Sequence, residues 1–362
     1  MRVARLANFS ILTRFLNMKS YFLKRLLAVI PMFFLMTAVY FCIQNYLPGG
    51  PVQETLARIT GLSGDGGSNR VLSTQDIAEL RHELEVQYGL DKPVHERYIL
   101  WLKKIITLDF GDSITTRAPA MDQIIERLPV SLAFGIPGFF LTYLVCIPLG
   151  VLMALKDGTR FDLVSSFILF LVYSIPVLVV SVVCLLVFCT DRVLPGGAIF
   201  PLGGLHSDNY DTLSAMGQAW DMTKHLFLPV MASMVGNFTA LSLLQKNSML
   251  EVIRSDYMRT AKAKGLHERV ILFKHGLRNA LLPMLVGIGG LLGVFLGGSI
   301  IIEPIFGLPG IGVLSLSALS ARDFNVIMAI VVLQSCAILF GQLLSDLAYA
   351  IADPRIQFQS RE

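Results

Sequence analysis

A chain that performs chemistry must bring a nucleophile, a base or a set of metal ligands together, and these 362 residues offer little of that kind. No GxxxxGK(S/T) loop is present to cradle phosphates, so an ATPase site of that type is excluded. No HExxH pair occurs to hold zinc. The serine of Gly61-Leu62-Ser63-Gly64 lies beside Asp65-Gly66-Gly67 and reads as part of a turn-rich loop, not as a nucleophile. Cys42, Cys146, Cys184, Cys189 and Cys336 fall within or at the edge of apolar runs and form no CxxC pair, so neither a disulfide framework nor a metal site is expected. Amides do occur within the apolar runs: Gln44, Asn45, Asn237, Gln245, Gln334 and Gln342. Such a side chain either bonds another helix or faces water. Asn237 and Gln334 stay open between the two and are the candidate pathway-lining residues; the other four are expected to wet at the membrane interface.

The elements that must carry these residues are set by charge spacing. The chain is 54% hydrophobic and only 15% charged, against roughly 25% charged in soluble domains. Six charge-free runs are bracketed by Arg25 and Glu54, Arg127 and Lys156, Asp162 and Asp191, Lys224 and Lys246, Arg278 and Glu303, and Asp323 and Asp346. A bilayer core needs about 20 apolar residues as helix, so spans are expected at 26–47, 130–155, 163–189, 225–245, 280–302 and 326–345. The uncharged stretch 304–321 is broken by Pro304, Gly307, Pro309, Gly310 and Gly312 and reads as an outer-face loop with a short dipping helix. The fold expected is therefore an all-α polytopic membrane protein. No Asp, Glu, Lys or Arg lies inside any span. An ion-coupled secondary transporter would carry such groups as relays and would show an inverted repeat. A non-transport scaffold or protease would need a paired nucleophile and base at membrane depth. Neither alternative finds its signature.

Lys/Arg bias near span ends sets orientation. The first 25 residues hold six Lys/Arg and no acid, and 246–278 holds eight basic residues against three acidic. By contrast, 48–129 holds nine basic against twelve acidic. Both termini are thus expected in the cytoplasm. That gives a cytoplasmic segment 1–25, a first helix 26–47, an outer insert 48–129, a five-helix core 130–345 with a cytoplasmic loop 246–279, and a cytoplasmic tail 346–362. A basic start before an apolar run also describes a cleaved signal peptide, but this run is too long and ends in Tyr46-Leu47-Pro48-Gly49-Gly50 without a small-x-small site. Met18 offers an alternative start.

Within the outer insert, Ser73 is expected to cap a helix to about Tyr88. A second helix from about His95 to Ile106 carries Tyr98, Trp101, Leu102 and Ile105 as an apolar stripe, and a third, about Pro119 to Leu128, leads into the second span as an elbow. In the fifth span, Gly289, Gly293 and Gly297 recur every four residues and give a helix-packing face. The cytoplasmic loop reads as a helix to about Lys264, a turn at Gly265 and a second helix to about Arg278. On physics alone this amphipathic pair fits equally a groove on a partner protein and a membrane surface lined with lipid headgroups.

The stretch Asp256-Tyr257-Met258-Arg259-Thr260-Ala261-Lys262-Ala263-Lys264-Gly265 resembles the EAA loop of binding-protein-dependent ABC importer permeases. Its D-Y-x-R-T-A-x-A-K-G wording is similar to that of the dipeptide/oligopeptide branch. Arg259 stands at the general glutamate position, a departure shared with that branch, and Pro283 falls further from the glycine than in the general pattern. KRLLAVIP (24–31) and LPGGPV (47–52) resemble the start of the first permease of the pair. YGLDKPVHERY (88–98), DFGDSI (109–114), FPLGGL (200–205) and ADPRIQF (352–358) look most like the Yej-type members, which import peptides including peptide-nucleotide antibiotics. The resemblance implies a type I ABC importer permease of six spans in the bacterial inner membrane, moving oligopeptides inward by alternating access. It implies as partners a second homologous permease, two cytoplasmic ATPase subunits or domains that hold ATP and Mg, and a periplasmic peptide-binding protein. Asp256, Tyr257, Arg259, Thr260, Ala261, Lys262, Ala263, Lys264 and Gly265 would then form the ATPase-coupling loop. The chain itself would be no enzyme and bind no cofactor.

Overall fold

The computed structural model describes residues 23–43, 56, 74–87, 92–191, 193 and 197–352. The expectations for 1–22, Gln44, Asn45, the GLSG loop, the Ser73 cap and the tail 353–362 lie outside them. Among the described residues the chain is helical, with a single isolated bridge, Asp112 to Pro119, in place of any strand. Its helices are α1 Leu23–Ile43, α2 Thr74–Gln87, α3 Val94–Ile106, α4 Ala120–Leu155, α5 Arg160–Ser174, α6 Val177–Phe188, α7 Ala215–Arg254 and α8 Asp256–Ala263. After these come α9 Glu268–Val270, a π-helical stretch Ile271–Leu277, α10 Arg278–Ala280, α11 Leu282–Ile288, α12 Gly290–Gly297, α13 Ile302–Ile305, α14 Ile311–Ser320 and α15 Phe324–Ala352.

Four of these are long and apolar enough to cross a membrane: α1, α4, α7 and α15. The expected third span is not one straight helix. It breaks into α5 and α6, bent by 92° at Ile175-Pro176, where proline removes a backbone donor and forces its predecessor out of the helical region. The fifth expected span divides into α11 and α12, and Gly289 between them keeps helical angles, φ −61° and ψ −34°. The elbow expected at 119–128 is instead the first turns of a continuous 36-residue α4, which absorbs Pro129, Pro137 and Pro148. Hydropathy also sees only the middle of α7. That helix runs 40 residues, about 60 Å at 1.5 Å per residue, starting at Ser214, whose hydroxyl accepts from Gly217 N.

The contacts gather into two units. The first comprises Met1–Val29, Leu128–Val313 and Cys336–Glu362. One core joins Phe134 of α4, Cys189 beside α6, Leu226 and Val230 of α7, and Ile302, Phe306 and Leu308. A separate core sets Val151 and Ala154 of α4 against Met249 of α7 and Ala280 of α10. The glycine face of α11 and α12 packs on α15: a Cβ on Gly289 would lie 2.8 Å from Gly341 O, and one on Gly293 would run into Ile338 Cγ1. Gly297 is buried.

Between α12 and α14 the backbone folds around one carboxylate. Glu303 is fully buried. Its Oε1 accepts from Ser299 N (2.9 Å) and from Ser131 Oγ of α4 (2.9 Å). Its Oε2 accepts from Gly312 N (2.7 Å) and Val313 N (3.3 Å), the free donors at the start of α14. Burial raises the pKa of this carboxyl, and the donors from Ser299, Ser131, Gly312 and Val313 oppose the rise.

The second unit comprises Ile30–Arg127 and Leu314–Ser335. The stripe of α3 packs on α1: the Tyr98 ring lies 5.4 Å from that of Phe41 and Trp101 5.5 Å from it, while the Tyr98 hydroxyl donates to Phe34 O (3.2 Å). A buried Asp323 fills the N-cap of α15, accepting from Val326 N (3.4 Å). Its other oxygen accepts from Ser113 Oγ (2.5 Å) and Thr115 N (3.3 Å), and Asn325 Nδ2 donates to Asp112 O (2.7 Å). The DFGDSI segment is thereby clasped to the start of the last helix.

Replacing Glu303 by leucine would strand the Ser131 hydroxyl and three backbone N–H groups, at about 1–3 kcal/mol for each unmet donor. The expected outcome is a melting point in detergent lowered well below that of Glu303→Asp, which keeps an acceptor. Equal melting of the two variants would show that the clasp holds nothing.

Candidate functional site

The loop 246–279 is built on the end of α7. Ser255, in extended conformation, ends α7 and starts α8 without a linker, so the long helix and the short one meet at a single corner. Asp256 in the first turn and Lys262 in the last of α8 match the helix dipole. Lys264 closes the helix, and Gly265 follows at φ +74°. A Cβ there would meet nothing within 4 Å. The demand for glycine is therefore conformational: the left-handed position at a helix end costs a side chain roughly 1–2 kcal/mol.

Burial divides α8 into two faces. Met258 is 2% exposed, with its Cε over Gly276 and next to the buried Met249. Tyr257 is half-buried, its hydroxyl accepting from Asn279 Nδ2 at 2.9 Å, and Ala261 is half-buried too. Met258 and Tyr257 fasten α8 to the second half of the loop. Asp256, Arg259, Thr260 and Ala263 recur at helical spacing on the other side and are exposed, as are Lys262, Lys264 and Gly265. Arg259 Nη1 lies 3.6 Å from Asp256 Oδ1 with both side chains largely in solvent, a pair worth at most about 1 kcal/mol. The guanidinium is thus held loosely enough to meet a second carboxylate.

The second half of the loop is less regular than a simple helix. His267 Nδ1 accepts from Arg269 N (3.3 Å) to start α9. The chain then widens into the π-helical stretch Ile271–Leu277 before tightening again in α10. Gly276 in that stretch lets the two methionine tips approach, 3.2 Å from Met258 Cε and 3.4 Å from Met249 Cε to a Cβ built there. A shallow depression lined by Asn247, Leu250, Glu251, Arg254 and Ser255 opens beside α8.

The amides fall in different settings. Asn237 is exposed on α7 and Gln334 is half-buried on α15. Gln245, expected to wet at the membrane interface, is instead fully buried, with Gly150 of α4 against its Cβ. Met258, the anchor of α8, carries no signal in the sequence beyond its place one residue after the tyrosine. The ion pairs of Asp157 and Asp162 with α7 were likewise not expected, because their partners lie more than eighty residues away.

Comparison with known proteins places this geometry. Residues 146–358 match the family of binding-protein-dependent transport system inner membrane components. The chain is similar to the inner membrane ABC transporter permease protein YejB of Escherichia coli O157:H7, with 36% identity over 371 residues, covering 95% of this chain and all of the relative. It is 35% identical over 370 residues to the peptidoglycan transport system permease protein YejB of Agrobacterium fabrum, with the same coverage. It is 32% identical over 342 residues to the oligopeptide transport system permease protein AppB of Bacillus subtilis, covering 94% of this chain and all of that one.

The left-handed turn gives a direct expectation. Asparagine tolerates that geometry and a β-branched residue does not. Gly265→Asn should leave trypsin cleavage at Lys262 and Lys264 in inverted membrane vesicles as in the wild type, and Gly265→Val should accelerate it several-fold. Equal cleavage of all three would mean that φ at this position does not hold the loop together.

Proposed function

We propose, from the premise that the chain belongs to the family of binding-protein-dependent transport system inner membrane components, that it is the membrane permease subunit of an ATP-driven peptide importer. The observation that carries this is the match along whole relatives, not along a shared segment, combined with a helix-ended loop that offers Asp256, Arg259, Thr260 and Ala263 to a partner. The protein sits in the inner membrane and contributes the solute pathway. Energy enters from outside the chain, in keeping with its lack of a phosphate-binding loop.

The four long helices α1, α4, α7 and α15 and the bent pair α5–α6 give five crossings. In this reading α11 and α12 together make the sixth. The termini and the loop around α8 face the cytoplasm, and α3 and α14 face outward. A second homologous permease completes the pathway, for which Asn237 and Gln334 are lining candidates. A peptide-binding protein delivers solute from outside. Two ATPase subunits, which hold ATP and Mg, receive α8 of each permease in a cleft. ATP-driven closure of the ATPases moves α8, and α7 carries that motion across the membrane. The cargo is peptide by the name of the oligopeptide relative, and the name of the Agrobacterium fabrum relative adds peptidoglycan to the candidates.

Two measurements test this. A reporter fused after Glu362 should read cytoplasmic and one inserted at Gly66 should read periplasmic; a periplasmic C-terminus would overturn the six-crossing topology. Separately, Arg259→Glu should lower ATPase co-purification about tenfold, from the loss and reversal of one charge-assisted contact, and more than Arg259→Ala. Ala261→Trp should also weaken it, where Ala261→Ser does not. Retention of ATPase and full tripeptide uptake by Arg259→Glu and Ala261→Trp would remove the docking role from α8.

A further inference from the structure

Near the cytoplasmic end of α7, within about three turns of α8, lies a set of charges that the docking reading does not use. Lys246 Nζ donates to Asp162 Oδ1 at 2.5 Å and lies 3.7 Å from Asp157 Oδ1. Arg254 Nη2 donates to Asp157 Oδ2 at 3.2 Å. The inner pair is enclosed, its side chains 14% and 6% exposed, whereas Arg254 is 71% exposed. Asp162 Oδ2 also accepts from Gly158 N (3.2 Å), which ties the carboxylate to its own turn. Lys246 and Arg254 stand eight residues apart on one face of α7, about 12 Å along its axis. Together they hold the turn between α4 and α5, and the first turn of α5, against the helix that ends in α8. Further along, Thr239 Oγ1 of α7 donates to Leu169 O of α5 at 2.7 Å.

Stability alone does not explain the enclosed pair. Desolvating a lysine and an aspartate costs several kcal/mol per ion, and a well-packed apolar pair of similar volume is commonly as stable or more so. An ion pair differs from an apolar contact in being directional: it fixes which residue of α7 faces which residue of α5. An apolar contact would let the two helices slide.

We infer that Lys246 and Asp162 are a positioning pair that makes α5 follow α7, so that displacement of α8 reaches the α5–α6 limb as well as α7. This inference rests on the permease reading above. It makes the pair a transmission element, with no contact to solute or nucleotide. Breaking it lets the ATPases cycle while part of the pathway stays behind, so more ATP is hydrolysed for each peptide imported.

The test uses the complete importer, with partner permease, ATPases and binding protein, reconstituted in proteoliposomes, with tripeptide uptake and phosphate release measured together. Lys246→Met and Asp162→Asn should each raise ATP hydrolysed per peptide about fivefold or more at equal amounts of assembled complex, the scale of an ordinary coupling energy. The double variant should be no worse than either single, and Lys246→Arg should restore a ratio near that of the wild type. Should the single variants fail to assemble, Lys246→Met with Asp162→Leu leaves no stranded charge and carries the same test. A merely structural pair would lower uptake and hydrolysis in proportion and leave the ratio unchanged, which would overturn the inference. A wild-type complex that imports no peptide with ATP and binding protein present would instead sink the permease reading itself.

Discussion

Lipid offers no hydrogen bonds, so every backbone donor and acceptor at membrane depth must be met by the protein. Long helices meet this demand along their length, but wherever a helix ends or breaks the debt reappears. This chain settles it with side chains placed just outside its apolar runs. Glu303 takes up the free donors of α14 together with Ser131 of α4, and Asp323 does the same for α15 with Ser113. A carboxylate that accepts from several donors at once is suited to the task, because the ionised form has only acceptor sites. The starts of α14 and α15 are therefore defined by acids, although neither lies within an expected span.

The spacing of charge made the long helices legible. Lys156 falls one residue past the end of α4 and Asp323 one residue before the start of α15, because charge is costly in lipid and the pattern needs no tertiary knowledge. Where the reading departed, the cause was tertiary. Hydropathy averages over a window and is blind to direction, so α5 and α6 looked like one span although Pro176 lay between them. The 40-residue α7 looked shorter than it is because polar residues begin where the membrane ends while the helix does not. Gln245 looked interfacial because nothing local reveals that Gly150 of another helix closes over it.

The loop around α8 shows the same division at smaller scale. Its first helix and its glycine turn were visible, since capping, dipole and left-handed geometry are local properties of Asp256 to Gly265. The π-helical stretch Ile271–Leu277 was not, because the residues there read simply as a second helix. Tyr257, expected in the coupling loop, turns out to be fastened inward beside the buried Met258, leaving Asp256 and Arg259 outside. The exposed face of a short helix can be known only when its buried face is.

Pro229 gives α7 an uneven stiffness. The proline cannot donate to the carbonyl of His225, so one rung of the ladder is missing near the outer end. From there to Arg254 no further proline interrupts the helix, a stretch of about 38 Å at 1.5 Å per residue. Such a member behaves as a lever with its fulcrum off centre: a rotation of about 10° at Pro229 sweeps the Ser255 corner through roughly 7 Å, by the same helical rise. The segment Ala215 to Pro229 has about a third of the length and moves correspondingly less. A modest angular change at Pro229 thus becomes a displacement at Ser255 larger than the width of a water molecule.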